Sequence, residues 1–296
     1  MKTLIVLLAL AVVALVSACG GGPQGPQGRI AFVSGRSGNH EIWVMNADGS
    51  NPHQVTHIPP LNFDPSWSPD GGQIVFISTA GRNENTNIYI MNADGSNLRQ
   101  VTDTPDTERA PRFLPDGKSL AFAKGLEAFL IDLDGSNERP WGTGLPGGTS
   151  PDGEKAAFTV GGTGWHVQAG EVWVANIDGG DRRRLTETMA YTAAPSWSPD
   201  GDRIAMECAE KALIYQPFIE PEPDTVGICL IDQDGSGLRR VTDNASNPTW
   251  SPDGSWIAFW RDEDIYVMRA DGTGARKITD YPGQDRTPAW GPVLEP

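Results

Sequence analysis

A short phrase recurs six times along the 296-residue chain, and this repeat constrains the fold more than any other feature of the sequence. Its first marker is an aromatic residue, one spacer and Pro-Asp-Gly, as in "WSPDG" at 67, 197 and 250, with variant copies "FLPDG" at 113 and "TSPDG" at 149 and a truncated "WGP" at 290. Its second marker is an Asp-Gly turn, as in "NADGS" at 46 and 92. Successive second-marker aspartates, at 48, 94, 134, 178, 234 and 271, are 46, 40, 44, 56 and 37 residues apart, which is the spacing of propeller blades.

The segments between the markers predict short strands. "IAF" at 30 has counterparts such as "IVF" at 74 and "IAF" at 257, and "EIWVMN" at 41 has "NIYIMN" at 87. These runs are apolar, β-branched or aromatic, and they are bounded by Gly, Pro, Asn and Asp, as expected of strands buried on both faces. Each repeat therefore predicts four antiparallel strands, A to D. The Pro-Asp-Gly and Asp-Gly-Ser turns join A to B and C to D, and their aspartates are expected to serve turn chemistry rather than calcium binding.

The two ends of the chain predict how the ring closes. The first repeat begins at Arg29 with a strand B and has no strand A, whereas residues 287–292, "TPAWGP", form a strand A with no successors. Six complete blades result only if the C-terminal strand joins the N-terminal blade, and closure also removes exposed sheet edges. We therefore predict an all-β fold over residues 29–296: a six-bladed β-propeller of four-stranded antiparallel blades, closed by residues 287–292.

The combination of "WSPDG", "IAF", "EIWVMNADGSN" and "RLT" resembles the TolB-like propeller repeat, also called the WD40-like or PD40 repeat. The resemblance extends over about residues 29–292 and implies a propeller. The sequence departs from TolB itself, because we expect no mixed α/β domain before the propeller and a lipid-attachment cysteine is present. Propellers of this family act as scaffolds, as gating domains of peptidases and, in a branch that resembles oligogalacturonate lyases, as enzymes. The fold alone does not choose among these functions.

The N-terminus predicts export and lipidation. Residues 1–18 read as a signal peptide, with Lys2, an apolar run over residues 4–16 and small residues before Cys19. This arrangement looks like a bacterial lipoprotein signal, which implies a lipid on Cys19; an ordinary secretory signal with an incidental cysteine is the alternative. Residues 19–28, rich in Gly, Pro and Gln, are expected to be a flexible tether. We expect an extracytoplasmic location, at the outer membrane or cell surface if there are two membranes and at the cell membrane if there is one.

The net charge excludes one class of partner. The chain carries 23 basic and 38 acidic residues, a formal charge of -15. Cleavage after Ala18 removes only Lys2 from this balance, and 22 basic against 38 acidic residues leaves -16. Such a surface repels nucleic acid, so nucleic-acid binding is not expected.

The variable loops predict a binding face. The B-C and D-A connections share one face and carry all the length variation, and ligands bind where a rigid scaffold presents irregular loops. Aromatic and arginine side chains on these loops are the candidates for contact with a partner. They are Phe63, Arg109, Trp165, Tyr191, Tyr215, Phe218, Tyr281 and Arg286. The alternative for each one is that it packs only its own loop.

Tryptophan and cysteine positions follow the repeat or depart from it. Four of the ten tryptophans occupy the same strand A position and are expected in the core: Trp67, Trp197, Trp250 and Trp290. Cys208 ends strand B of one blade, and Cys229 takes an aromatic position on its strand C. Adjacent antiparallel strands bring such residues within disulfide reach in an exported protein, so we expect a Cys208–Cys229 bridge; two free buried thiols are the alternative.

Motifs for catalysis are sparse. The four histidines, at 40, 53, 57 and 166, form no HExxH motif, no paired-cysteine metal spacing occurs, and no strand A carries a histidine. We therefore expect no cofactor, no metal and no enzyme activity, and instead a monomeric module that binds another envelope protein or peptide, or a glycan. The rival hypothesis is a lyase or hydrolase that acts on a polysaccharide in the central channel.

Overall fold

Each repeat folds into one four-stranded antiparallel sheet in the order A-B-C-D. The computed structural model describes residues 25–81, 85–161, 170–187, 189, 191–210 and 226–293. Within them, 24 strands form six such sheets and no helix occurs, so none is present that could cross a membrane. The predicted six-bladed β-propeller is confirmed.

The blades are numbered from the N-terminus. Blade 1 contains β24 (Asp285–Gly291), β1 (Arg29–Ser34), β2 (Glu41–Asn46) and β3 (His53–Gln54). Blade 2 contains β4 (Asn62–Trp67), β5 (Gln73–Ser78), β6 (Asn87–Asn92) and β7 (Arg99–Gln100). Blade 3 contains β8 (Glu108–Phe113), β9 (Ser119–Lys124), β10 (Glu127–Asp132) and β11 (Arg139–Thr143). Blade 4 contains β12 (Leu145–Thr149), β13 (Lys155–Val160), β14 (Glu171–Asn176) and β15 (Arg183–Arg184). Blade 5 contains β16 (Tyr191–Trp197), β17 (Arg203–Ala209), β18 (Gly227–Asp232) and β19 (Arg239–Asp243). Blade 6 contains β20 (Ser246–Trp250), β21 (Trp256–Arg261), β22 (Asp264–Arg269) and β23 (Arg276–Lys277).

The C-terminal strand closes the ring. In blade 1, β24 pairs with β1 so that Trp290 lies opposite Ile30 and Ala289 opposite Ala31. The strand begins two residues earlier than predicted and ends one residue earlier, at Gly291. Because β24 supplies the missing strand A, blade 1 has the same four strands as the others, and the predicted closure is confirmed.

The hydrophobic core is divided among the six junctions between blades. Successive residues of a strand point to opposite faces, so strand B contacts both neighbouring blades. In β1, Ala31 and Val33 pack with blade 2, whereas Ile30 and Phe32 pack with blade 6. Every other junction has its own cluster of buried side chains. The uniformly apolar strand B follows from this arrangement, because neither of its faces reaches solvent.

The glycine of the second marker packs against the preceding blade of the ring. In blade 2, a Cβ on Gly95 would lie 2.5 Å from the backbone oxygen of Val55 in blade 1, and Gly95 has a φ of +85°. Val55 is the hydrophobic residue that ends the preceding repeat. At the closing junction, a Cβ on Gly49 would lie 2.3 Å from the backbone oxygen of Ile278. The repeat therefore contains a glycine both for turn geometry and for close approach of two blades.

In blades 1, 2, 4 and 6, a threonine just after strand D closes the outer edge of the blade. The backbone amide of Ile42 donates a 2.8 Å hydrogen bond to the Thr56 hydroxyl oxygen, which lies in the segment after β3. Thr102, Thr186 and Thr279 accept equivalent bonds in blades 2, 4 and 6. Buried amides need a partner, and the threonine supplies it beyond the end of the short strand D.

Candidate binding face and central channel

The regular face of the disc is built from aspartate-stabilised turns. In blade 1, the Ser50 amide and hydroxyl both donate to Asp48 Oδ1, at 2.9 and 2.6 Å. In blade 2, Ser68 donates to Asp70 across the A-B turn. These serine bonds lower the pKa of both aspartates because they stabilise the charged form. The predicted turn role of these aspartates is confirmed.

The opposite face of the disc carries the B-C and D-A connections. The B-C connection contains two residues in blade 3, between Lys124 and Glu127, six in blade 1 (35–40) and seventeen in blade 5 (210–226). We call this surface the loop face. Trp165, Tyr215 and Phe218 lie outside the described residues, as does Cys19.

A stack of side chains stands on the loop face where blade 6 meets blade 1. The Arg36 guanidinium lies 4.8 Å from the ring centroids of both Trp43 and Tyr281, and its Nη2 donates to Asp285 Oδ2 at 2.5 Å. Asp285 is buried, and this burial raises the pKa of its carboxyl while Arg36 opposes the shift. Tyr281, one of the predicted contact residues, has 53% of its surface exposed. The stack thus holds an exposed aromatic ring in a fixed position.

A second group of side chains contains Phe63 and Arg286, two further predicted contact residues. Arg286 Nη2 lies 2.8 Å from His40 Nε2, and the His40 ring packs edge-on against Phe63 with centroids 5.4 Å apart. An arginine can only donate, so His40 Nε2 accepts and its proton lies on Nδ1. Burial and the neighbouring Arg286 lower the pKa of His40, which favours this neutral form. His40 and Arg36 were not among the predicted contact residues, because they lie in a six-residue loop of ordinary composition.

Four of the five predicted contact residues that the structure describes lie in a strand A and not on a loop: Phe63, Arg109, Tyr191 and Arg286. Arg109 is a half-buried residue of β8. Tyr191 is the first residue of β16, only 6% exposed, and its hydroxyl donates to the buried Glu207 carboxylate at 2.7 Å. The prediction of an exposed loop position for Tyr191 is wrong because the strand begins earlier than its repeat counterparts, and the ring packs on Ala193 and Ala209.

The innermost strands surround a central channel with a cavity of about 620 Å³. The third residue before the aromatic residue of strand A, called position −3, lines the cavity in all six blades. The residue just before the aromatic residue, called position −1, lines it in five blades. Position −3 has a φ near +50° in five blades, and the strand pairing shifts register there. These residues are Asp64, Ala110, Ala194, Asn247 and Thr287. Such bulges bend each inner strand and re-aim its side chains toward the channel.

The strand A tryptophans are structural. Trp67, Trp197, Trp250 and Trp290 are between 5 and 8% exposed, as predicted for core residues. Two of these indoles also join blades: Trp67 Nε1 donates to the Ala289 oxygen at 3.0 Å, and Trp250 Nε1 donates to the Ser196 oxygen at 3.1 Å. Each acceptor lies on the strand A of the preceding blade.

Cys208 on β17 and Cys229 on β18 form a disulfide. Both side chains are fully buried. The bridge ties together the two strands that residues 210–226 connect. Among the described residues, no three His, Cys, Asp or Glu side chains are grouped so that they could hold a metal ion.

Comparison with known proteins finds similar propellers. A family profile described as the TolB beta propeller domain (PD40) matches residues 11–139, and one described as the dipeptidyl peptidase IV N-terminal region matches residues 230–287. The Tol-Pal system protein TolB of Anaeromyxobacter dehalogenans is 32% identical over 124 residues, which are 40% of this chain and 26% of that protein. Over the matched residues, the propeller is similar to that of TolB. The chain therefore spans about a quarter of the length of the curated TolB relatives that it matches.

Solved structures share the TolB-like fold. TolB from Acinetobacter baumannii superposes with a TM-score of 0.73 at 23% identity, over 90% of this chain and 67% of that one. An oligogalacturonate lyase from Vibrio parahaemolyticus superposes with a TM-score of 0.54 at 15% identity, over 85% of this chain and 74% of that one. At these identities, the likeness shows the fold alone.

Proposed function

We propose that this TolB-like propeller is a lipid-anchored, extracytoplasmic module that binds another protein or a peptide of the bacterial envelope through its loop face. The observation that carries the proposal is the exposed Tyr281 ring, stacked on an Arg36 guanidinium that Trp43 and the buried Asp285 hold in place. Tyrosine and arginine are enriched among residues that dominate binding energies. A side chain already fixed before association loses little entropy on binding.

A protein partner is also supported by the nature of the matched relatives. They carry the name Tol-Pal system protein TolB, the name of a component of a protein system. The loop face adds the Arg286 guanidinium, which His40 Nε2 orients by accepting a hydrogen bond at 2.8 Å, and a guanidinium donates hydrogen bonds to a polar partner. The propeller acts as a monomer that presents these groups and performs no chemistry on the partner.

The anchor rests on the sequence before the propeller. Cys19 follows an apolar run and small residues, and residues 20–28 lead from it to the first strand. One acyl-bearing cysteine and a short Gly, Pro and Gln tether would hold the disc close to a membrane surface. Export through this route places the loop face outside the cytoplasm, where envelope partners are available.

Replacement of Tyr281 tests the binding face. Tyr281→Ser removes the exposed ring and leaves the backbone intact, and Leu98→Ser is the matched control because Leu98 is exposed at a C-D turn on the regular face. Cross-linking in intact cells, followed by mass spectrometry, should give a protein that wild type and Leu98→Ser capture and Tyr281→Ser loses. If all three capture the same proteins, or if Leu98→Ser alone loses the partner, the loop face is not the binding face.

Replacement of Cys19 tests the anchor separately. Growth with a clickable fatty acid should label the wild-type protein, and Cys19→Ser should abolish the label and move the protein from the membrane fraction to the soluble fraction. Label that persists in Cys19→Ser would refute lipidation at this residue. The result does not depend on which protein the loop face binds.

The rival hypothesis of a polysaccharide lyase or hydrolase rests on a resemblance in fold. The part of the chain that the structure describes offers no cluster of metal-ligating side chains to support it, and we do not propose it. Turnover of an acidic oligosaccharide by the purified protein would reverse this choice.

A further inference from the structure

One arginine departs from the repeat inside the channel. Arg112 occupies position −1 of β8, and its side chain lines the central cavity. The other five blades have small uncharged residues at this position. They are Ser66, Gly148, Ser196, Thr249 and Ala289. The repeat therefore does not require a long or charged side chain here, and blade 3 alone places a cation at this position.

The Arg112 guanidinium is only partly engaged by the protein. Its Nη1 donates to the backbone oxygen of Pro111 at 2.9 Å. No carboxylate of the described residues forms an ion pair with it. Removal from bulk water lowers the pKa of Arg112, and Asp64 partly offsets this effect. Since an arginine offers five N–H donors, most of its hydrogen-bonding capacity is available to a molecule in the cavity.

An aspartate departs from the repeat in the neighbouring blade. Asp64 occupies position −3 of β4 in blade 2 and lines the same cavity. The other five blades carry no acid at this position, where they have Ala110, Pro146, Ala194, Asn247 and Thr287. Asp64 and Arg112 interact electrostatically but lie too far apart for an ion pair. The two departures thus place opposite charges on adjacent walls of one cavity.

Glu207, the third charged residue that lines the cavity, already has hydrogen-bond partners. Its carboxyl group accepts hydrogen bonds from the Tyr191 hydroxyl at 2.7 Å and from the Asn247 backbone amide at 2.9 Å. Burial raises the pKa of its carboxyl, which favours the neutral form. Among the described residues that line the cavity, Arg112 and Asp64 are therefore the charged groups free to interact with a ligand.

We propose that the channel binds a small zwitterion, with a ligand carboxylate on Arg112 and a ligand ammonium group on Asp64. A guanidinium binds a carboxylate through two parallel hydrogen bonds, and a nearby aspartate selects against ligands that carry negative charge alone. The cavity volume of about 620 Å³ is in the range that holds small ligands. Free amino acids and the ends of short peptides both have this chemistry. The site lies inside the channel, so it goes beyond the partner binding proposed for the loop face.

Binding to the purified full-length chain tests the proposal with defined probes. Isothermal titration calorimetry with glycine, 4-aminobutyrate, glycylglycine and triglycine covers free amino acids, a longer charge separation and peptide ends. Acetate and methylammonium supply each charge alone. Two variants remove one charge each: Arg112→Gln and Asp64→Asn. Asparagine is tolerated at the positive φ of residue 64, so the second variant keeps the backbone. Arg139→Gln, on the outer strand of blade 3, is the matched control.

The expected pattern separates the two charges. At least one zwitterion binds saturably and more tightly than acetate or methylammonium. Arg112→Gln weakens its binding about tenfold or more, since hydrogen bonds to charged groups are lost, and Arg139→Gln leaves it unchanged. Asp64→Asn weakens the binding of the zwitterion but not the binding of acetate. Preference for glycylglycine and triglycine would assign peptide ends as the ligand, and preference for glycine or 4-aminobutyrate would assign free amino acids.

Three results would overturn the proposal: no zwitterion binds at 10 mM, roughly the upper limit for a specific weak site; acetate binds as tightly as every zwitterion; or Arg112→Gln binds like wild type. Near-ultraviolet circular dichroism shows whether each variant keeps the native fold, and a variant that does not is replaced by Arg112→Ser or Asp64→Ala, residues that other blades carry at these positions. Loss of loop-face partner binding in Tyr281→Ser is scored independently, so either proposal can fail alone.

Discussion

The junction that closes the ring offers a sharp test of the structure. Gly49 and Gly38 both lie in blade 1, and their φ values are nearly equal, +93° and +96°. A Cβ on Gly49 would meet the Ile278 backbone oxygen at 2.3 Å, whereas a Cβ on Gly38 would have no atom within 4 Å. Alanine at the two sites therefore carries a similar backbone penalty, and only Gly49→Ala forces blades 1 and 6 apart.

The expected magnitudes follow from these two terms. A positive φ costs a residue with a Cβ about 1–2 kcal/mol, which is the expected loss of unfolding free energy for Gly38→Ala. Gly49→Ala adds the cost of overpacking, typically about 1–3 kcal/mol, because backbone oxygen cannot rotate away as a side chain can. The difference between the two variants should thus be about 1–3 kcal/mol, or very roughly 2–10 °C in melting temperature for a domain of this size.

The assay is equilibrium urea unfolding followed by tryptophan fluorescence, with refolding checked from the denatured state. We expect both variants to unfold at lower urea than wild type, with Gly49→Ala clearly lower than Gly38→Ala and with similar slopes. Equal midpoints for the two variants would show that Gly49 does not pack against blade 6 as described. A lower midpoint for Gly38→Ala would contradict the assignment of the clash.

Three other perturbations give definite expectations. Glu108 is fully buried, and burial raises the pKa of its carboxyl from 4.5 to about 7. Because the folded state holds this proton more tightly than the unfolded state, the contribution of Glu108 to the unfolding free energy is fully present below pH 4.5 and is lost as the pH rises through 7. Glu108→Gln should therefore stabilise the fold at pH 8.5, by up to roughly 3 kcal/mol, and not at pH 4, whereas the exposed Glu127→Gln in the same blade should have little effect at either pH in urea titrations. Thr56→Val leaves the Ile42 amide without its acceptor and should cost about 1–3 kcal/mol in the same assay; an unchanged midpoint would refute the role given to this hydroxyl. Ending the chain at residue 283 removes β24 and exposes the edge of β1, so size-exclusion chromatography should show aggregates or dimers, and a stable monomer would contradict ring closure.

Much of the fold could be predicted because its rules are local. The pattern of apolar residues in a strand and the Gly and Asp residues of a tight turn depend only on neighbouring residues, so each repeat predicts four strands. Copy number and the unmatched strand at each end then determine six blades and the pairing of Trp290 with Ile30. The same logic placed the strand A tryptophans in the core, because a position repeated in several blades cannot serve one specific site.

Contacts between blades could not be predicted, since they depend on how one sheet is rotated against the next. The approach of Gly95 to Val55 joins residues of different repeats, and although both positions recur along the chain, no local pattern shows that they meet. The bulge at Asp64 is similar: a residue before proline ordinarily avoids the helical regions, yet the inner strand bends there to line the channel. The wrong prediction for Tyr191 has the same cause, because only the fold brings its hydroxyl to the buried Glu207 carboxylate that accepts its hydrogen bond.

The sequence by itself determined the number, order and closure of the blades, because these follow from short-range periodicity and from the mismatch between the two ends of the chain. Only the tertiary structure decided what faces the channel and what stands on the loop face. Arg112 and Asp64 look ordinary in the chain, and they become a pair of opposite charges only when adjacent blades turn their inner strands toward one axis. Side-chain direction relative to that axis is a property of packing, and no local pattern encodes it.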